Sequence, residues 1–377
     1  MTETVLTNAR VVLADRILPG HVVVRDGVIA EIGEGPARTG EDCDGDYLLP
    51  GLVELHTDHL EGHYMPRPKV RWNMMASLQA HDAQLAASGV TTVFDALRVG
   101  LDEAAIEAAE MRDMADAIAL ACDTGRLRAD HFIHLRCEVS APDAVDGFAL
   151  IEGNGRLRLA SLMDHAPGQR QFVSMDSYRT YYQGKLKMSD IEFDRFCERR
   201  MRQSERYAPV NRPAIAARCR AAGITIASHD DATVAHVAEA VALGTSLAEF
   251  PTTVEAARAS TEAGLKVLMG APNVVRGGSH SGNISAIDLH RTGHLDVLSS
   301  DYVPFSLIQS VFALADCGAA DLPAAVRLVT KNPAEAAGLA DRGELAAGKR
   351  ADIARVAPGA GLPPLVRSVW RDGRRVS

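Results

Sequence analysis

Residues 49–63 read LPGLVELHTDHLEGH, an apolar run that ends in histidines and carboxylates. His56 and Asp58 lie two positions apart at the end of the predicted strand, so their side chains point to the same face. His59 follows Asp58 directly and needs the subsequent loop to reach the same place. One such strand end is weak evidence, but the same pattern recurs along the chain.

Five further apolar runs end in side chains that bind metals in proteins. In a parallel barrel the loops after all strands gather at one rim, so residues far apart in sequence can share a site. The runs and their polar residues are HLRCE (His134, Glu138), SLMDH (Asp164, His165), IASHDD (His229, Asp230, Asp231), LAEFPTT (Glu249) and VLSSDY (Asp301). The sequence therefore predicts a shared metal site at the rim of a barrel.

Strand-like runs alternate with helical patterns through the middle of the chain. The predicted strands are 48–55, 90–96, 131–137, 157–163, 224–228, 246–250, 266–271 and 296–300. The predicted helices include 73–88, 102–123, 211–222, 232–243, 254–263, 305–316 and 321–331. This alternation favours an α/β fold, a distorted (β/α)8 TIM barrel, with an open doubly wound sheet as the alternative.

An insertion at 167–210 interrupts the alternation between the fourth and fifth strands. It is charged, contains several aromatic residues and is largely helical in pattern. In a barrel this position lies on the face that carries the active-site loops. The inserted segment could there form a lid over the substrate or a dimer contact. Both interpretations remain open.

Both ends of the chain contain short strands and turns instead of the alternating pattern. Strands at each terminus need partners, because unpaired strand edges are prone to aggregation. We therefore expect residues 1–47 and 343–377 to form one small β-sandwich domain, and residues 48–342 to form the barrel.

Composition and charge narrow the classes of function. The 377 residues are 47% hydrophobic and 24% charged, as in globular proteins, and the net charge of −9 argues against general binding to nucleic acid or anionic membranes. The segment MTETVLTNARVV lacks the pattern of a secretory signal, and the six Cys are scattered without a CxxC pair. We expect a cytoplasmic enzyme with reduced thiols.

The strand-end residues suit divalent-metal chemistry. Imidazole and carboxylate ligands are typical of zinc and related ions, and the number of candidates allows one or two ions per chain. Such an ion activates water and polarises the bond under attack. His229 and Asp301 are the candidate catalytic residues, with Asp301 placed to accept the proton of the attacking water. The ligand candidates are His56, Asp58, Glu138, Asp164, His229, Glu249 and Asp301, with His59, His165 and Asp230 as possible additions. Four other histidines are expected at surface or capping positions: His21, His131, His290 and His294.

Two cationic segments predict a phosphate-binding pocket. Arg67, Lys69 and Arg71 follow the first strand, and RGGSHSGN (276–283) is a Gly-rich loop after the seventh strand. Main-chain N–H groups in such a loop can bind an anion, although an ordinary Gly turn is the alternative. The full candidate set is Arg67, Lys69, Arg136, Arg170, Lys185, Arg276, Gly277, Gly278, Ser279 and His280.

The combination of motifs resembles the amidohydrolase superfamily. The motifs on which this resemblance rests are PGLVELHTD, SHDD, SSD and the closing TKNPAEAAGL…RGELAAGKRADIA. Within it, GVTTVFDA, HLRCE, SLMDHAPGQRQF, YYQGK and VLMGAPNVVRGGSHSGN resemble the enzymes that hydrolyse alpha-D-ribose 1-methylphosphonate 5-triphosphate in the carbon–phosphorus lyase pathway of phosphonate catabolism. The resemblance spans nearly the whole chain.

This sequence departs from the superfamily pattern at three places. The first strand usually ends in His-x-His and here ends in His56-Thr57-Asp58, and the sixth strand offers Glu249 in place of a histidine. No Lys lies between Lys69 and Lys185, so a carboxylate such as Glu138 or Asp164 replaces the bridging lysine. Additional oxygen ligands make the site more suitable for harder ions. We therefore expect zinc, with manganese or magnesium as alternatives.

The resemblance implies hydrolysis of the sugar triphosphate to a 5-phosphate with release of diphosphate. One alternative is a C–N hydrolase, such as a deaminase or cyclic amidohydrolase, on the same fold. A remote alternative is a non-catalytic scaffold. The expected partner is a small triphosphorylated sugar, and we expect a homo-oligomer, a dimer.

Overall fold

The structure, a computed structural model, describes residues 3–100, 106–170, 178–179, 188–279, 284–359 and 361–377. In chain order its strands are β1 (Glu3–Val12), β2 (Ile17–Arg25), β3 (Val28–Glu34), β4 (Glu41–Asp42), β5 (Tyr47–Pro50), β6 (Leu52–Thr57), β7 (Val90–Val99), β8 (Asp130–Glu138), β9 (Leu157–Met163), β10 (Thr225–His229), β11 (Leu247–Glu249), β12 (Lys266–Gly270), β13 (Val297–Ser299), β14 (Ile353–Ala357), β15 (Leu365–Arg371) and β16 (Arg374–Arg375).

The helices lie mainly between the barrel strands. In chain order they are α1 (Leu60–Tyr64), α2 (Met74–Ala87), α3 (Ala108–Asp123), α4 (Ala144–Ile151), α5 (Asp190–Ala222), α6 (Val234–Ala242), α7 (Val254–Glu262), α8 (Ala271–Arg276), α9 (Ala286–Arg291), α10 (Ser306–Asp316), α11 (Leu322–Arg327) and α12 (Lys331–Ala336). The single helix expected at 321–331 is thus two short helices.

Strands β6 to β13 form a parallel sheet in which each strand pairs with its neighbour in sequence. A parallel bridge between Thr57 and Asp301 joins the first strand to the end of the last, so the sheet curls into a nearly closed barrel. Val53, Phe94 and Leu268 belong to the apolar cluster packed within it. Together with the separate terminal sheet, this architecture confirms the predicted fold class.

The first predicted strand, 48–55, is divided in two by Gly51. Residues before it, in β5, pair with β14 in the terminal sheet, whereas β6 enters the barrel. A Cβ atom at Gly51 would lie 2.2 Å from Oγ1 of Thr91, so only glycine permits this close passage between the two sheets.

Residues from both ends of the chain build the terminal sheet, in the order β16-β15-β14-β5-β1-β2-β3, with β4 beside β1. Most of its pairs are antiparallel, and Leu6, Val22 and Ile353 pack in its core. Its strands fall within 3–50 and 353–375. The domain boundaries at 47/48 and 342/343 remain a prediction.

Asp130, at the start of β8, ties the barrel to the C-terminal segment. Its carboxylate accepts hydrogen bonds from Arg342 at 2.8 Å and Arg350 at 2.5 Å, and Arg371 lies 3.4 Å away. These cations hold the pKa of Asp130 at about 2, although burial opposes the shift. The cluster therefore stays ionised at neutral pH.

The predicted helix at 211–222 begins much earlier, at Asp190. A capping box between Ser189 and Glu192 starts α5, and Gly223, with a φ of 67°, ends it. The second half of the 167–210 insertion is therefore the first half of this helix. Residues 171–177 and 180–187 lie outside the described residues, so the lid and dimer interpretations stay predictions.

Among the described residues, no helix is both long and apolar enough to cross a membrane.

Candidate metal centre

The carboxyl ends of the barrel strands carry the residues that the sequence singled out. His229 is the last residue of β10, Glu249 is the last of β11, and Asp301 follows β13. The backbone is left-handed at Asp230, Phe250 and Asp301, with φ of 57°, 52° and 54°. Such conformations are unfavourable for residues other than glycine and concentrate at functional sites.

Three side chains at this end of the barrel form an inner cluster, which we define as His56, His134 and Glu249. Nδ1 of His56 lies 3.2 Å from one oxygen of Glu249, and Nε2 of His134 lies 3.7 Å from the other. One ligand atom of each of the three lies within 4.8 Å of the others, and all three side chains are buried. Two imidazoles and a carboxylate at this spacing suit a divalent transition metal.

Burial keeps the imidazoles of the inner cluster neutral. It lowers the pKa of His134 to about 3 and, with help from Arg136, lowers that of His56 well below its usual range. The Nδ1–H of His134 donates to the carbonyl of Leu55 at 2.9 Å. Its Nε2 lone pair is therefore directed toward Ser161 and Glu249, as a metal ligand requires.

An outer cluster consists of His165, His229 and Asp230. The Nδ1–H of His229 donates to Asp230 at 2.8 Å, and Nε2 of His165 lies 3.5 Å from the same oxygen. Again one ligand atom of each lies within 4.8 Å of the others. Nδ1 of His165 lies 2.7 Å from Glu138. The predicted ligand Glu138 thus holds the His165 ring of this cluster in place.

Nε2 of His229 provides a test of whether these residues fit a metal. This atom is buried and has no hydrogen-bond partner among the described residues. A buried nitrogen without a partner is unfavourable, and coordination to an ion would satisfy it. The bond from Nδ1 to Asp230 fixes the tautomer and leaves the Nε2 lone pair available.

Two carboxylates face the imidazole of His165. Burial disfavours the charge, but Glu138 and Asp230 outweigh it and raise the pKa of His165 to about 9. The same interaction lowers the pKa of Glu138 to about 2 against the effect of burial. Metal binding at this cluster would therefore release a proton from His165.

The two clusters are adjacent at the rim. The ring centres of His56 and His229 are 5.8 Å apart, and those of His165 and His229 are 5.4 Å apart. Phe250 packs edge-on against both His56 and His229, at 5.1 and 5.3 Å. The two candidate clusters are therefore neighbours at the barrel rim, and the expected number of ions, one or two, stays a prediction.

Asp301 lies beside His56, since its N–H donates to the His56 carbonyl at 3.0 Å. Burial, followed by the negative charge of Asp58, raises the pKa of Asp301 to about 7. A carboxylate with this pKa can both accept and release a proton at neutral pH. This is the property that the proton-accepting role requires.

The predicted ligand list lacks three residues of the site: Glu54, Ser161 and His134, the last of which the sequence showed only as a polar residue near a strand end. His134 alternates with Arg136 and Glu138 along β8, and this period of two could have placed it on the same face. Ser161 donates a hydrogen bond to Glu249 at 2.5 Å and also contacts His134. No sequence signal distinguishes Ser161 from an ordinary strand residue.

Two predicted ligands have other partners. Asp58 pairs with Arg136 at 3.2 Å and belongs to neither of the two clusters. Asp164 accepts a hydrogen bond from Ser204 at 2.7 Å and lies 3.6 Å from Arg212. Asp164 therefore anchors α5 to the end of β9.

The predicted phosphate-binding residues divide into exposed and buried groups. Arg67, Lys69 and Arg276 are exposed, and Gly277 to Ser279 follow α8 at the surface. Arg170 is only 4% exposed and is enclosed by Asp231 and Glu239, the latter at 2.6 Å. Lys185 and His280 lie outside the described residues.

Two histidines occupy positions that the sequence did not indicate. His131 is not at the surface but fully buried, with Nδ1 2.7 Å from Asp95 and Nε2 3.3 Å from Asp82. The expectation for His131 was wrong because both of its partners are supplied by other elements. His59 turns away from the inner cluster and contacts Gln84 at 3.1 Å.

Comparisons with known proteins agree with this architecture. The sequence profile of the amidohydrolase family matches residues 78–377. Alpha-D-ribose 1-methylphosphonate 5-triphosphate diphosphatase of Escherichia coli (strain K12) is 45% identical over 377 residues, 99% of this chain and all of the relative. D-hydantoinase of Rhizobium radiobacter is 34% identical over 97 residues, 25% of this chain and 20% of the relative. Among solved structures, N-acetyl-D-glucosamine-6-phosphate deacetylase from Mycobacterium smegmatis has a TM-score of 0.66 at 18% identity and covers 99% of this chain and 100% of its own.

Proposed function

Because this chain belongs to the amidohydrolase family, we propose that it uses the barrel rim to hydrolyse alpha-D-ribose 1-methylphosphonate 5-triphosphate. The products are the 5-phosphate and diphosphate, in phosphonate catabolism. The observation that carries this proposal is the 45% identity to the Escherichia coli diphosphatase, which extends over 99% of this chain and the whole of that protein.

The inner and outer clusters are the proposed metal ligands. Their six residues are His56, His134, Glu249, His165, His229 and Asp230. A divalent ion supplies Lewis-acid chemistry, which polarises a phosphoryl oxygen and makes water a stronger nucleophile at neutral pH. We propose zinc first, because four of the six ligands are imidazoles, with manganese or magnesium as alternatives.

In the proposed reaction, the oxygen of water forms a bond to the α-phosphorus. The bond between that phosphorus and the oxygen that bridges the α- and β-phosphorus breaks. Asp301 accepts the proton of the attacking water, since its pKa near 7 leaves a substantial ionised fraction at neutral pH. Asp230 holds His229 through its Nδ1–H at 2.8 Å, which leaves Nε2 of His229 available for the proposed chemistry. Diphosphate leaves with the electron pair of the broken bond.

Exposed cations are the proposed phosphate ligands. Arg67 and Lys69 on the loop after α1, with Arg276 and the 277–279 segment after α8, would bind phosphoryl oxygens and neutralise the leaving diphosphate. Arg170 is better suited to a structural role, because its guanidinium is already neutralised by Asp231 and Glu239. Arg136 reaches the rim but is paired with Asp58.

Location and assembly remain predictions. All six Cys are free, which agrees with a reducing compartment and supports the predicted cytoplasmic location. The predictions that the protein forms a homodimer and does not bind nucleic acid rest on the sequence alone.

A product assay distinguishes the proposed reaction from a C–N hydrolase. Metal-reconstituted protein would be incubated with the sugar triphosphate, ATP, a hydantoin and adenine, and diphosphate and ammonia would be measured in parallel. Rapid diphosphate release from the sugar triphosphate, lost in His229→Asn but kept in the matched control His290→Asn, supports the proposal. Ammonia release from adenine, or hydantoin opening, without diphosphate release would replace it.

A further inference from the structure

Three imidazoles meet outside the inner and outer clusters, where α1 packs on α2. His59 precedes α1, His63 lies within it, and His81 lies on α2. The ring centres are 5.0 Å apart for His59 and His63, 6.1 Å for His59 and His81, and 5.8 Å for His63 and His81. Three imidazoles around one tetrahedral zinc ion, with Zn–N bonds of about 2.0 Å, have ring centres roughly 5 Å apart.

His81 is prepared as a ligand. It is fully buried, and its Nε2–H donates to Asp95 at 2.8 Å, the carboxylate contact that orients metal-binding histidines. Its Nδ1 is buried and has no hydrogen-bond partner within the described part of the chain. The buried lone pair therefore lacks the interaction that a buried polar atom normally has.

His59 and His63 share one polar neighbour. Nε2 of each ring lies 3.1 Å from Oε1 of Gln84, which can accept an N–H from both. That arrangement leaves Nδ1 of each ring as a lone pair. Both side chains are half-buried, so an ion from solvent can reach them.

We infer that His59, His63 and His81 form a second transition-metal site, which takes zinc or a similar ion and is separate from the catalytic clusters. The trio is more open than those clusters, whose ligand atoms lie within 4.8 Å of one another. For an ion to bind, the half-buried rings of His59 and His63 must turn so that one nitrogen of each approaches Nδ1 of His81. A water molecule completes the fourth position.

The site has a structural consequence for the substrate-binding loop. Residues 65–73 connect α1 to α2 and carry the exposed Arg67 and Lys69. The Ser77 hydroxyl already donates to the His63 carbonyl at 3.1 Å, which joins the two helices at one point. An ion held by His63 and His81 adds a second connection and limits the motion of the loop between them.

The first experiment counts ions. Chelator-stripped protein is equilibrated with a fixed low concentration of free zinc, and bound zinc per chain is measured by elemental mass spectrometry. His63→Gln should hold one ion fewer than wild type, and His290→Gln, which removes an imidazole on α9, should match wild type. His229→Asn should lose a different ion, so its effect should add to that of His63→Gln. Equal zinc content in wild type and folded His63→Gln would overturn the inference.

A second experiment uses the wild-type chain and so does not depend on how a variant folds. Diethyl pyrocarbonate modification of His63 is mapped by peptide mass spectrometry with and without zinc, with His290 as the internal control. Zinc should protect His63 several-fold and leave His290 unchanged, and it should slow hydrogen exchange in residues 65–73. Unchanged His63 reactivity at saturating zinc would contradict the site.

Discussion

Glu54 joins the first strand of the barrel to the last through Ser300. One carboxylate oxygen of Glu54 accepts the Ser300 N–H at 2.6 Å, and the other accepts the His56 N–H at 2.6 Å. The side chain is fully buried, and burial raises its pKa to about 7. Glu54 thus fixes the backbone of His56, a residue of the inner cluster, and the backbone of Ser300 at the end of the last strand.

Glu54→Gln should weaken this connection, because the amide NH2 faces one of the two N–H donors and cannot accept from it. Leaving a buried donor without a partner costs roughly 1–3 kcal/mol, which urea unfolding would detect. The exposed Glu34→Gln serves as the matched control and should leave stability unchanged. Wild-type stability in Glu54→Gln would contradict the assigned role.

Asp301→Asn should lower turnover by about 10²–10⁴-fold, because the amide cannot accept the proton of the attacking water. The fold should remain, since the Asp301 N–H that bonds to the His56 carbonyl is unchanged. Steady-state kinetics with circular dichroism would check both, and Asp316→Asn, on the exposed end of α10, is the control. Near-normal turnover in Asp301→Asn would exclude Asp301 as the proton acceptor.

The buried ion pairs of His131 should make stability depend on pH on the alkaline side. Burial opposes the charge, but Asp95 and Asp82 outweigh it and raise the pKa of His131 to about 9, above the unfolded value of 6.5. The stabilisation is therefore complete below pH 6.5 and is lost as the pH rises toward 9. It amounts to roughly 3 kcal/mol, at about 1.4 kcal/mol for each unit of pKa.

Unfolding of wild type and His131→Gln between pH 6 and pH 9.5, with chelator present, would measure this term. The stability difference between the two proteins should shrink as the pH rises, whereas His290→Gln should keep the wild-type dependence. A difference that is constant with pH would mean that folded His131 is neutral throughout.

Two arginines from the predicted phosphate pocket should behave in opposite ways. Arg170→Met leaves Asp231 buried without its cation and should lower stability by roughly 3–5 kcal/mol. Arg276→Met, at an exposed position, should leave stability unchanged and raise KM for the triphosphate by about tenfold. A large KM effect with normal stability in Arg170→Met would return Arg170 to the phosphate pocket.

The sequence indicated the barrel because its strands are continuous apolar runs that alternate with helical patterns. A polar residue marks the end of each strand. His229, Glu249 and Asp301 were recognisable for that reason. The division of the first strand at Gly51 was not, because it depends on contact with Thr91 in another strand. Local pattern identifies an element, but tertiary contact decides which sheet receives it.

The same limit applies to the site. Arg170 pairs with Asp231 and Glu239, which are 61 and 69 residues away, and a sequence carries no direct record of such pairs. Glu54 and Ser300 are 246 residues apart, and Glu54 looks like any polar residue within a strand. Residue type therefore suggested the metal centre, whereas its supporting contacts required the folded chain.

The most direct test of the central claim is hydrolysis of alpha-D-ribose 1-methylphosphonate 5-triphosphate in ¹⁸O-labelled water by metal-reconstituted protein, with products followed by mass spectrometry. We predict diphosphate and the 5-phosphate in equal amounts, with ¹⁸O in the 5-phosphate, and loss of both products on chelation. Release of orthophosphate, label in diphosphate, or no turnover with zinc, manganese or magnesium would contradict attack at the α-phosphorus by this site.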